Sequence, residues 1–160
     1  ITRNIREAKG YTYSPGSSVA FLPANAVWTF NADVTTAVTG PALKEVFHEI
    51  RTLQATPPGE EEAAGMRQYM AGVFVIQNST PGALVNTIAT RDSLGLPRVW
   101  MDKYVPATLA VTPAQMSEAA KNLPLDKLTL VVVGDLKVIT PQLQALPELK
   151  GIEFKTVTIP

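Results

Sequence analysis

Ile5-Arg6-Glu7-Ala8-Lys9-Gly10-Tyr11-Thr12-Tyr13-Ser14 is the stretch on which the reading of this chain turns. A glycine after a charged helical run supplies the left-handed residue that closes a helix, and Lys9 in the last turn complements the negative end of the helix dipole. Tyr11, Thr12 and Tyr13 then alternate as a strand does. Folding a helix end and a strand start about Gly10 brings Arg6 and Tyr13 within reach of one another.

Working outward, the strand from Tyr11 runs to Phe21 with a break at Pro15-Gly16, and Leu22-Pro23-Ala24-Asn25 turns it into a second strand, Ala26 to Val34. There Trp28, Phe30, Ala32 and Val34 share one face, the period-two pattern of an antiparallel sheet with one covered side. Leu43, Val46, Phe47, Ile50 and Leu53 recur at helical spacing after Pro41, which sits near the first turn. A second helix opens on Glu60, Glu61 and Glu62, where negative charge opposes the positive dipole end, and its expected buried stripe is Met66, Met70, Val73 and Phe74. Thr80-Pro81 starts a third helix that ends near Gly95. Arg98 to Tyr104 reads as a short segment with a helical turn, and Thr112-Pro113-Ala114-Gln115 as a capping box whose helix ends near Leu123. Leu128 to Gly134 reads as a buried strand, Gln142 to Leu146 as a helical turn and Ile152 to Ile159 as a final strand. Strands, then clustered helices, then strands describe an α+β fold, a two-layer antiparallel sheet with helices on one face.

The segment Arg6-Glu7-x-x-Gly10-x-x-Tyr13 resembles the R-E-x-x-G-x-x-Y pattern in the C-terminal domains of the insulinase, pitrilysin and mitochondrial-processing-peptidase family of zinc metallopeptidases. The similarity continues through Thr35-Thr36-Ala37-Val38-Thr39-Gly40-Pro41, Leu94-Gly95-Leu96-Pro97, Val111-Thr112-Pro113 and Val131-Val132-Val133-Gly134-Asp135, in that order. The resemblance implies the processing-peptidase type of α+β fold, with residues 1–160 forming a single zinc-free C-terminal domain. Because the chain begins at Ile1 in what reads as mid-helix, an N-terminally truncated domain of a longer protein is expected. Such a domain exposes an unpaired sheet edge, so self-association is expected as well.

Composition agrees with one globular domain: 160 residues, 46% hydrophobic and 18% charged. Fourteen basic and fourteen acidic residues cancel, so no electrostatic excess draws the chain to nucleic acid. There is no cysteine for a disulfide framework or a thiolate metal site; this fits periplasm or cytosol and leans to the periplasm for a bacterial chain. No apolar run reaches the ~18 residues of a membrane span, and none reads as a signal peptide.

The family's zinc site needs H-x-x-E-H on one helix, and this chain has one histidine. His48-Glu49-Ile50-Arg51-Thr52 matches the first two positions of H-E-x-x-H, yet Thr52 stands where the second imidazole belongs. His48 therefore reads as a surface side chain beside the Val46, Phe47, Ile50 stripe. No G-x-S-x-G elbow supports a serine triad, and no G-x-G-x-x-G supports a dinucleotide. Zinc is expected in the partner half or subunit, no organic cofactor is implied, and no catalytic residue is expected within the chain.

By motif position the resemblance assigns substrate binding to Arg6 and Tyr13, whose guanidinium and phenol are donors suited to a peptide carbonyl. Tyr11 is the rival aromatic, at the wrong spacing. The bland reading pairs Arg6 with a carboxylate such as Glu7 and packs Tyr13 in the sheet. The expected partners are a peptide and another domain or subunit of the family. The implied role is to form half of a peptidase chamber; the alternative is a structural module like the family's respiratory-complex core proteins.

Overall fold

The structure is a computed structural model in which residues 1–157 are described. Among them an opening π-helix, Thr2–Ala8, leads to strands β1 (Gly16–Phe21) and β2 (Ala26–Asn31), and six α-helices follow. These are α1 (Thr39–Ala55), α2 (Glu60–Gln77), α3 (Pro81–Ser93), α4 (Trp100–Leu109), α5 (Pro113–Ala120) and α6 (Leu136–Gln144), with single 3-10 turns at Thr36–Val38 and Pro147–Leu149. The α+β class is as expected. The chain divides into two compact units, one of residues 1–17, 30–51 and 125–160, the other of residues 18–29 and 52–124.

Within the described residues the sheet consists of the β1–β2 hairpin, extended by one antiparallel bridge between Thr12 and Val34. Leu22 N–H donates to Asn25 O at 2.8 Å to close the turn, and Ser18 Oγ lies 2.9 Å from Thr29 Oγ1 across the ladder. That register would place Thr12 opposite Thr35, whereas it bridges Val34. One residue is gained across Pro15-Gly16, as in a β-bulge, and proline's missing donor explains why the ladder breaks there. The expected strand from Tyr11 is thus shortened to Gly16–Phe21. Trp28, Phe30, Ala32 and Val34 are each half-buried while Val27, Thr29, Asn31 and Asp33 are exposed, so the alternation read from sequence holds.

The core of the first unit gathers on α1. Phe47, Leu143, Leu146 and Leu149 are buried together, with Leu43, Leu125, Val132 and Phe154 packed against them. The α1 stripe is therefore the expected one. Gly40 is required where α6 approaches: a Cβ there would lie 2.9 Å from Gln142 Cβ and 3.1 Å from its carbonyl oxygen. Across this contact Gln142 Oε1 accepts the Gly40 N–H at 2.9 Å, and its Nε2 donates to Thr36 O at 2.9 Å. The amide thus stands between two groups that an α-helix would join directly, and caps α1 from a distant part of the chain.

In the second unit α2 and α4 are joined by aromatic packing. Phe74 stacks on Tyr104 with centroids 3.9 Å apart, and Trp100 meets Phe74 and Tyr104 edge-on at 6.1 and 5.3 Å. Arg67 is largely enclosed, donating to Val111 O at 3.0 Å and pairing with Glu60. Gln54 donates to Ala120 O and Leu123 O, each at 3.0 Å, satisfying carbonyls at the end of α5. Thr112 and Gln115 form the expected capping box.

Five further expectations are corrected. Of the expected α2 stripe Val73 and Phe74 are half-buried, Phe74 in the aromatic contact with α4, but Met66 and Met70 are exposed and the buried residues are Ala63 and Ala71. Arg98 to Tyr104 is more than a turn, because helix α4 runs through Pro106 to Leu109. Gln142 to Leu146 likewise lies in or beside a nine-residue helix, opened by Asp135 accepting the Lys137 N–H. Leu128 to Gly134 has no ladder partner among the described residues, and Val131 and Val133 are each 78% exposed. Of the final expected strand, 152–157 forms no ladder either, and its end lies outside the described residues.

Candidate functional site

The opening helix closes at Gly10, whose φ of 64° is the left-handed value expected for it. Its closure is wider than the usual α-helical form: Lys9 N–H reaches Asn4 O, five residues back, at 3.0 Å, and Tyr11 N–H reaches Ile5 O, six back, at 2.8 Å. This is π-type winding, a rare geometry that recurs at functional sites. Ile5 is fully buried and anchors the turn.

Polar contacts fix the same helix to α1. Asn4 Nδ2 donates to Glu45 Oε2 at 2.8 Å and to Glu49 Oε1 at 2.7 Å, while Lys9 Nζ binds Glu45 Oε1. The hydrogen bond from Lys9, followed by that from Asn4, holds the Glu45 carboxyl below its ordinary pKa of 4.5. The hydrogen bond from Glu45 in turn raises Lys9 above 10.5. Glu45 and Glu49 stand one turn apart on α1, so one face of that helix receives both donors.

Arg6 and Tyr13 come together across Gly10. The Arg6 guanidinium carbon lies 4.7 Å from the Tyr13 ring centroid, within cation–π range. Tyr13 is 79% exposed, so it does not pack in the sheet, and among the described residues Arg6 has no carboxylate partner. Thr12 between the tyrosines is buried at its bridge to Val34, which forces Tyr13 outward. Tyr11, the rival, is half-buried with Lys9 Nζ 5.9 Å from its ring. Guanidinium and phenol are thereby presented side by side on a pinned turn, with their hydrogen-bond donors open to a ligand.

His48 is exposed on α1, and its neighbour Glu49 is engaged by Asn4. Among the described residues no three His, Asp or Glu side chains gather as metal ligands. The donor set does not fit a zinc site, and no step through zinc is assigned to this chain. Asn4 and Glu45 were not singled out from sequence, and Lys9 was read only as complementing the helix dipole, not as a partner of Glu45. Their signal is the Glu45, Glu49 spacing, which shows an acidic face without showing what meets it.

No protein family's sequence profile matches the chain, and no curated protein matches it in sequence. In fold it is similar to the crystal structure of a peptidase M16 inactive domain from Pseudomonas fluorescens, with a TM-score of 0.68 and 18% identity. The likeness covers 75% of this chain and 28% of that one. At that identity it is a likeness of fold.

Proposed function

We propose that this chain, with the fold of a peptidase M16 domain, is a zinc-free domain of a peptidase assembly that binds substrate backbone through Arg6 and Tyr13. The observation that carries the reading is the pair itself: two donors side by side on a π-type turn, neither used in packing. It is supported by the likeness of fold to an M16 domain and by the resemblance of the surrounding motif. Helices would cover one layer of a larger sheet to which the β1–β2 hairpin belongs, and a second family domain would complete a chamber and supply the metal.

The chemistry on this side is electrostatic. As water attacks a peptide carbonyl, negative charge grows on its oxygen, and preorganised donors stabilise that charge more than the ground state. The contacts of Asn4 and Lys9 to α1 fix the turn that carries Arg6 and Tyr13, so its backbone need not be ordered when substrate arrives. Replacing Arg6 by Ala or Tyr13 by Phe removes one such hydrogen bond, about 1 to 3 kcal/mol, or roughly 5-fold to 150-fold in kcat/KM. The test is peptide hydrolysis by the assembled peptidase carrying each variant, with melting temperature measured in parallel. Loss of activity at unchanged stability is expected; two variants with undiminished hydrolysis would leave the chain as a structural module.

A further inference from the structure

Asn4 and Lys9 grip one carboxylate from two sides. Asn4 Nδ2 donates to Glu45 Oε2 at 2.8 Å, and Lys9 Nζ donates to Glu45 Oε1 at 2.5 Å. The same two residues are joined through the backbone, where Lys9 N–H donates to Asn4 O at 3.0 Å. Glu45 therefore closes a ring on a five-residue hydrogen bond, the step that makes this turn π-type.

The winding decides whether that ring can close. At about 3.6 residues per turn, side chains five apart on an α-helix point roughly 140° away from each other. Five residues is instead the hydrogen-bonded step of π winding, which brings the two onto one face. Under α winding Lys9 would turn away from the carboxylate that holds Asn4. Its N–H would also take Ile5 O, the acceptor that now receives Tyr11 N–H at 2.8 Å.

We propose that Glu45 is a positioning residue: by holding Asn4 and Lys9 together, it selects the π winding that sets the Arg6 guanidinium over the Tyr13 ring. Arg6 lies between the two gripped residues, so its direction follows the winding. Tyr13 is set separately, beyond Gly10, because Thr12 is buried at its bridge to Val34. A ring fixed from one side and a guanidinium steered from the other meet at 4.7 Å while the grip is closed. Both oxygens of Glu45 are needed, since each accepts from a different donor. Glu49 differs in this respect, accepting from Asn4 at 2.7 Å but not from Lys9. The positioning role rests on Arg6 and Tyr13 binding peptide; the control of winding does not.

NMR of the chain by itself reads the winding. Arg6 protons held over the Tyr13 ring are shielded by it, and Tyr13→Leu calibrates the shift. Glu45→Gln leaves one oxygen for two donors, and Lys9→Met removes one donor. Each is expected to reduce the Arg6 shielding and to speed exchange of the Lys9 amide by about 3-fold to 10-fold, the effect of one partly screened charge-assisted bond. Lys9→Arg should retain both signals. So should Glu49→Gln, which keeps an acceptor for Asn4, and Arg51→Met, which breaks the pair of α1 with Glu148, even where the melting temperature falls. In the assembled peptidase Glu45→Gln should lower kcat/KM, and should lower it no further in an Arg6→Ala background. Arg6 shielding unchanged in both Glu45→Gln and Lys9→Met would overturn the proposal, as would an equal loss of shielding in Arg51→Met or additive losses of activity. Should hydrolysis ignore Arg6→Ala while the shielding follows Glu45, the peptide-binding reading fails and the control of winding stands.

Discussion

Replacing Gln142 by Ala tests how the first unit is held together. Its Oε1 accepts the Gly40 N–H at 2.9 Å, and Gly40 is buried, so the substitution strands a backbone donor at the start of α1. Its Nε2 bond to Thr36 O is lost too, but that carbonyl still receives the Thr39 N–H. The dominant cost is therefore one buried, unsatisfied donor, about 1 to 3 kcal/mol, with little added for Thr36. For a chain of this size ~2 kcal/mol lowers the melting temperature by about 4 to 8 °C. Thermal denaturation followed by circular dichroism reads this, with a urea titration checking that the midpoint moves at constant slope. Gln142→Glu keeps an acceptor for Gly40 and should recover part of the loss. The neighbouring exposed Gln144→Ala should change the melting temperature by no more than about 1 to 2 °C, the usual range for surface positions. Equal melting temperatures for the Gln142 and Gln144 alanine variants would refute the cap; so would a Gln142→Glu variant no better than Gln142→Ala.

The clamp on the opening helix gives stability a defined pH window. Glu45, held below 4.5, contributes fully above that value and is lost as acid takes the pH down through its folded-state pKa; Lys9, raised above 10.5, contributes below that value and is lost as pH rises through its own. The melting temperature difference between the chain and Glu45→Gln should therefore be constant at neutral pH and shrink in acid, and a difference indifferent to acid would show that the charge on Glu45 has no part. Metal analysis after dialysis should find no stoichiometric zinc in the chain alone, since it offers a single imidazole and no thiol; one zinc per chain, lost in His48→Ala, would contradict that.

The sequence by itself determined what is local. Gly10 had to close its helix because a left-handed residue was needed there, and that turn alone brings Arg6 to Tyr13. The α1 stripe, the capping box at Thr112 and the alternation in β2 were legible for the same reason: each is set by neighbours a few residues away. Tertiary structure decided the rest. A strand is a property of a pair, so Leu128 to Gly134 has strand composition without a ladder among the described residues. In helix α2 Val73 and Phe74 turn inward as read, but Ala63 and Ala71 rather than Met66 and Met70 complete the buried face, which no single-helix period could show. Arg98 to Tyr104 read as a helical turn, and the helix runs on through Pro106 to Leu109. Asn4 and Lys9 meet Glu45, and Gln142 reaches Gly40, across separations of 36 to 102 residues that no local pattern encodes. Periodicity states which residues share a face; only the other face in contact fixes which way it points.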